Sequence, residues 1–154
     1  MNQKFSILLA EDNPDDRQIF KVALKRADGL HVSEVRTGEE VLDYLKGKDG
    51  FSDRARFPLP NLLLLDLVMP FMNGLDVLKW LRAQSKFTDL PVIVWSGSDI
   101  PGQAAAARAF DAEYIGKAND FDGTLELARR IVQKAIKMSE GNGRASGQKT
   151  RFLD

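Results

Sequence analysis

The sequence predicts an α/β fold, a parallel β-sheet with helices packed on both faces. Three observations carry this reading. Short apolar runs alternate with amphipathic ones along most of the chain. The most apolar run, Leu62-Leu63-Leu64-Leu65, reads as a central strand covered on both sides. Conspicuous polar residues fall at the ends of the apolar runs, where open parallel sheets collect their chemistry.

Taken in order, Ile7-Leu8-Leu9-Ala10 reads as the first buried strand, with Glu11 and Asp12 directly after it. Asn13-Pro14 looks like a helix start, with Asn13 as the cap and Pro14 at the first helical position. Ile19, Phe20, Ala23, Leu24 and Ala27 then recur at three- and four-residue intervals as one helical face, and Gly29 ends it. His31 to Arg36 is a weaker strand. Thr37 and Glu40 form a capping box for a short helix carrying Val41, Leu42 and Leu45. Lys46 to Pro60 shows no period and reads as a loop of roughly fifteen residues, long for such a connection. Leu62 to Asp66 follows, then a helix after Gly74 with Leu75, Leu78 and Leu81 inward. Pro91 opens the strand Val92-Ile93-Val94-Trp95, and Pro101 opens an Ala-rich helix to about Phe110. Glu113-Tyr114-Ile115 is the last strand. The final helix is expected from Phe121 to Met138, with Leu125, Ala128, Val132, Ala135 and Ile136 on its apolar side. Residues 139–154, rich in Gly, Ser and charge, read as a flexible tail after a single domain spanning 1–138.

Composition narrows the function classes. The chain has 154 residues, 44% apolar and 29% charged, enough for one domain with its own core. Its 22 basic and 22 acidic residues cancel, which gives no reason to expect a nucleic-acid partner. With no Cys, a disulfide framework, a thiolate metal site and a thiol nucleophile are all excluded. The apolar stretch Phe5–Ala10 is too short for a signal peptide, and no run approaches the ~18–20 residues of a membrane span. The expectation is a soluble cytoplasmic protein.

If the strands are parallel, Glu11, Asp12, Asp66, Ser96 and Lys117 share one edge of the sheet and form a pocket. Two carboxylates ~4 Å apart repel by about 4 kcal/mol at an effective dielectric of 20. Such a cluster needs a cation. Lys117 supplies one charge. The remaining donors are hard oxygens with neither His nor Cys among them, which makes Mg²⁺ the natural metal. One carboxylate can also act as a nucleophile toward phosphorus, a step whose catalysis is mostly positioning and charge neutralisation. Ser96 can donate a hydrogen bond to a phosphoryl oxygen.

With these residues in place, the sequence resembles the receiver domain of two-component response regulators from about Phe5 to Met138. The motifs are Glu11-Asp12, Asp66-Leu67-Val68-Met69-Pro70 with Gly74 four residues on, Ser96-Gly97, and Tyr114 with Lys117. The resemblance implies a flavodoxin-like, doubly wound sheet of five strands in the order 2-1-3-4-5 with five helices. It implies that Asp66 is the phospho-acceptor and that Glu11, Asp12, Asp66 and the backbone carbonyl of Val68 bind Mg²⁺. It makes Ser96 the hydroxyl that moves to the phosphoryl group, Lys117 the lysine that pairs with it, and Tyr114 the aromatic switch. The family usually has Pro after that lysine; here Ala118 follows, so a trans or strained bond is expected. The long 46–60 loop and the Glu-Asp-Asn-Pro-Asp-Asp start look like the small regulators that serve phytochrome-type histidine kinases.

The expected function is a stand-alone phosphoacceptor rather than an enzyme, taking its phosphoryl group from a histidine kinase and signalling by protein contact. A homodimer through the last two strands and helices is a common solution in the family. Two alternatives stand beside it: a Mg²⁺-dependent aspartyl-phosphate phosphohydrolase, and a receiver-like interaction module that is never phosphorylated. Val68 stands where such hydrolases place a general acid, against the first; the complete acidic set speaks against the second. His31 reads as an exposed strand histidine. Phe51, Phe57, Arg54 and Arg56 read as a solvated loop pinned by one Phe.

Overall fold

The computed structural model describes residues 4–25, 27, 29–97 and 100–144, with the side chains of 142–144 excepted. Five strands and five helices alternate in strict order: β1 (Phe5–Ala10), α1 (Pro14–Leu24), β2 (Leu30–Val35), α2 (Gly38–Lys46), β3 (Leu62–Leu65), α3 (Gly74–Ala83), β4 (Val92–Ser96), α4 (Gln103–Ala109), β5 (Ala112–Gly116) and α5 (Phe121–Arg144). All strand pairs are parallel, as the alternation of runs predicts, and the order is β2-β1-β3-β4-β5, as the resemblance to receiver domains implies.

The two-residue period of a strand divides the core. Leu62 and Leu64 face α1 and α5, packing with Ile7, Leu9, Phe20, Ile131 and Ala135. Leu63 and Leu65 face α2, α3 and α4, packing with Leu8, Tyr44, Leu78, Leu81 and Val94. All four leucines of β3 are fully buried, and burying each contributes about 1.5–3 kcal/mol. β3 is thus clamped from both sides, and the residue after it, Asp66, leaves the sheet at a fixed height.

The helix starts follow their capping chemistry. Asn13 Oδ1 accepts from the N–H groups of Asp15 and Asp16 at 2.8 and 3.3 Å. Thr37 Oγ1 accepts from Glu40 N–H at 3.1 Å, while Glu40 Oε1 accepts from Arg36 N–H, one residue upstream of the reciprocal bond a capping box makes. Asn73 caps α3 in the same way.

Several boundaries and placements differ from expectation. α1 ends at Leu24, because Lys25 turns back to bond Val22 and Ala27 bonds Leu24 outside the helix. α5 continues to Arg144, six residues past its expected end at Met138; the rest of the expected tail lies outside the described residues. His31 is half-buried rather than exposed, on edge strand β2. The 46–60 loop is held by more than one Phe. Phe51 and Phe57 both pack on the core beside Tyr44, with ring centroids 5.1–6.0 Å apart. Arg54 ties the loop to the end of α2, donating to the carbonyls of Tyr44, Leu45 and Phe57 at 2.8, 2.9 and 3.1 Å.

Candidate functional site

The parallel strands bring their carboxyl ends together, and the residues that follow them meet there. Glu11 and Asp12 leave β1, Asp66 leaves β3, Ser96 ends β4 and Lys117 leaves β5. One oxygen from each of Glu11, Asp12 and Asp66 lies within 4.8 Å of the other two. Glu11 and Asp66 are buried and Asp12 is exposed, so the cluster opens to solvent on one side.

Two backbone features fix Asp66. Its N–H donates to the carbonyl of Ala10 at 3.0 Å, which extends the β1–β3 ladder past the end of the strand. Its Oδ1 accepts from Val68 N–H at 3.1 Å. Gly74, the first residue of α3, packs so closely that a Cβ there would meet the Asp66 carbonyl oxygen at 2.5 Å and Leu67 Cα at 2.8 Å. The glycine of the motif is therefore required by the close approach of α3 to the strand end. Val68 itself is 54% exposed.

Lys117 is the cation of the pocket. Its side chain is buried, and its ammonium contacts Glu11 Oε1 at 2.8 Å, Asp16 Oδ2 at 2.7 Å and Asp66 Oδ2 at 3.3 Å. It also lies 5.9 Å from the centre of the Trp95 ring, within the range of a cation–π contact. Burial by itself would favour the neutral amine. The charges of Glu11 and Asp66 and hydrogen bonds to Asp16 and Glu11 outweigh it and hold the ammonium form above its usual range. Glu11 is pushed up to about 8, first by burial, then by its hydrogen bond to Asp66 and the Asp66 charge, with Lys117 opposing. The pocket holds more negative charge than its lysine balances.

Ser96 is buried and faces Gly116 in the β4–β5 register; its carbonyl accepts the Lys117 N–H at 2.8 Å. Tyr114 lies opposite Val94, half-buried against the core shared by α2, α3 and α4. The Lys117-Ala118 bond is trans, since no described peptide bond is cis. The connection after β5 is fastened from α5: Thr124 Oγ1 donates to the Ala118 carbonyl at 3.1 Å, and Asp120 Oδ1 accepts from Gly123 N–H at 2.7 Å.

The structure thus gathers Glu11, Asp12, Asp66, Ser96 and Lys117 at one edge, with Tyr114 two residues before the end of β5. It also adds Asp16, which sequence reasoning did not single out. The acidic pair Asp15-Asp16 at a helix start was visible, but the helix dipole already accounts for acids there.

Hard carboxylate oxygens within one cation's reach suit Mg²⁺ or a similar divalent ion. Such an ion would draw on Glu11, Asp12 and Asp66. Among the described residues no helix is long and apolar enough to cross a membrane.

Known proteins show the same plan. The family model of the response regulator receiver domain matches residues 7–138. The polar-differentiation response regulator DivK of Brucella ovis is 30% identical over 131 residues, covering 84% of this chain and 98% of that protein. The two-component response regulator ORR4 of Oryza sativa subsp. indica is 28% identical over 110 residues, 65% of this chain and 47% of its own length. The chain thus spans about half of that rice regulator. Among solved structures, the phosphorylated cyanobacterial phytochrome response regulator RcpA superposes with a TM-score of 0.80 at 26% identity, covering 88% of this chain and 96% of its own. The response regulator RPA3017, in red light signaling of R. palustris, gives 0.71 at 32% identity, covering 82% and 90%. The chain belongs to the response regulator receiver family of two-component signalling.

Proposed function

We propose that Asp66 accepts a phosphoryl group from a sensor histidine kinase in the cytoplasm and that the protein signals through the resulting change in its surface. The observation that supports this most is the Lys117 ammonium at 3.3 Å from a buried Asp66 carboxylate set among acids at one sheet edge. In the transfer, an Asp66 carboxylate oxygen forms a bond to phosphorus. The bond from phosphorus to the donor imidazole nitrogen breaks, and its electron pair stays on that nitrogen. Val68 N–H and Lys117 Nζ hold the two carboxylate oxygens in orientation. Lys117 offsets negative charge on the phosphoryl oxygens, and the Ser96 hydroxyl can donate to one of them. Glu11, Asp12 and Asp66, with the backbone carbonyl of Val68, would hold Mg²⁺, which when bound supplies further neutralisation of phosphoryl charge.

Downstream of transfer, Ser96 and Tyr114 carry the change to the surface of β4, β5 and their helices by a shift between two arrangements. The likeness to RcpA and RPA3017 supports a phytochrome-type kinase as the donor. A homodimer through the face of the last two strands and helices, β4, β5, α4 and α5, is the expected mode of output, readable by light scattering before and after phosphorylation.

The test is direct. Incubated with Mg²⁺ and acetyl phosphate, the protein gains the mass of one phosphoryl group, and Asp66→Asn does not. Equal labelling of that variant refutes the reading. Sustained turnover of ordinary phosphate esters would instead favour a phosphohydrolase.

A further inference from the structure

The Lys117 ammonium has three N–H donors, and the structure offers them three carboxylates. The shortest contact, 2.7 Å, goes to Asp16; Glu11 follows at 2.8 Å, and the acceptor Asp66 is the most distant at 3.3 Å. Asp16 is outside the trio that fits a metal ion. Its backbone is fixed as the third residue of α1 by Pro14 and by the Asn13 cap, whose Oδ1 accepts its N–H. Its side chain is 19% exposed against 4% for Glu11. It borders a pocket of about 390 Å³ between α1 and the β5–α5 connection, lined also by Ala118, Asp120 and Phe121.

We infer that Asp16 is a positioning residue for Lys117, holding the ammonium back from Asp66 and so slowing phosphoryl capture. The inference rests on the functional reading above. A phosphoryl group on Asp66 adds negative charge and oxygen acceptors beside the ammonium. Lys117 must then turn one donor toward it. Of its three bonds, the one to Asp16 is the more solvated and the easiest to give up, since water takes over both partners as they part. Until then Asp16 competes with Asp66 for the same cation. Asp15, exposed on the same turn of α1, carries the same charge at the same helix end. It separates a general charge effect, or a helix-dipole effect, from the specific contact.

The experiment uses the full chain at saturating Mg²⁺ with acetyl phosphate. Acetate is the leaving group, and the rate of Asp66 phosphorylation is read by intact mass. Asp16→Asn is expected to be labelled about fivefold faster than wild type, the scale of one partly solvated ion pair. Asp15→Asn should differ less than twofold, and Asp16→Glu should return to the wild-type rate by restoring the charge. A helix-end role would change the melting temperatures of the Asp15 and Asp16 variants alike and leave the rates together. If wild type is labelled but Asp16→Asn is no faster than Asp15→Asn, the inference fails alone; labelling of Asp16→Glu as fast as Asp16→Asn also overturns it. If wild type takes no phosphoryl group, the functional reading falls and this inference falls with it.

Discussion

Replacing Gly74 by Ala tests how tightly Asp66, the proposed acceptor, is tied to the packing of α3. The added Cβ would stand 2.5 Å from the Asp66 carbonyl oxygen and 2.8 Å from Leu67 Cα and Cδ2. Two of these three neighbours are backbone atoms and cannot swing aside. Carbon contacts have their optimum near ~3.5–4.0 Å, so relief requires about 0.5–1 Å of relative movement between α3 and the strand end. Overpacking of this kind costs about 1–3 kcal/mol, offset by up to ~1 kcal/mol of helix propensity gained by Ala over Gly. The net loss is about 0–3 kcal/mol, or up to roughly 12 °C in Tm for a domain of this size. The rate responds more steeply. A shift of about 1 Å can lower a positioned reaction ~100-fold, so roughly half that movement at Asp66 lowers phosphorylation by acetyl phosphate about tenfold. Gly97→Ala is the contrast, since its Cβ meets Lys117 Cδ and Cβ at an ordinary 3.6 and 3.8 Å. Thermal melts and labelling time courses on both variants decide the matter. A Gly74→Ala protein that melts with wild type and is labelled at its rate would refute the reasoning.

Four other perturbations have defined outcomes. Arg54→Ala removes a charged donor from the carbonyls of Tyr44, Leu45 and Phe57; with part of the loss made up by water, stability falls about 2–4 kcal/mol in denaturant melts. Arg56→Ala, exposed over Phe57, changes it by less than about 1 kcal/mol. Arg82→Ala releases the carbonyls of Phe110, Asp111, Thr88 and Leu90; amide exchange should quicken at the turn into β5, and a melt unchanged within error would count against it. In Mg²⁺-free buffer, stability should fall as pH rises from about 4.5 to 8, because folded Glu11 keeps a proton that the unfolded chain has released. Added Mg²⁺ should flatten that slope, as followed by melts across the range.

Much of this architecture was legible because its signals are local. Leu62 to Leu65 announce a strand covered on both faces, and Asn13-Pro14 and Thr37 announce helix starts by side chains that satisfy their own first turns. The acids and Lys117 were placed together by topology alone, since parallel strands bring their carboxyl ends to one edge. What escaped is chemistry without a local pattern. Arg54 and Arg82 act by donating to backbone carbonyls, and every residue has one, so no residue type marks the partner. The 46–60 segment consequently looked solvated although two phenylalanines and an arginine fasten it.

Asp16 is the sharpest case, because a local explanation concealed a distant one. An acid in the first turn of a helix is favoured by the dipole, which is reason enough for its presence. Its partner Lys117 lies 101 residues away. The consequence is a matter of charge. Three carboxylates and one lysine leave a formal surplus of two negative charges; counting Asp16 as well, Glu11, Asp12, Asp16 and Asp66 against Lys117 leave three. A phosphoryl group would add to that surplus in a pocket where Glu11 is already pushed up to about 8. The lysine cannot serve all these anions at once, so the fourth acid increases the demand for a divalent cation. Removing it should ease phosphoryl entry without touching a residue that fits the metal.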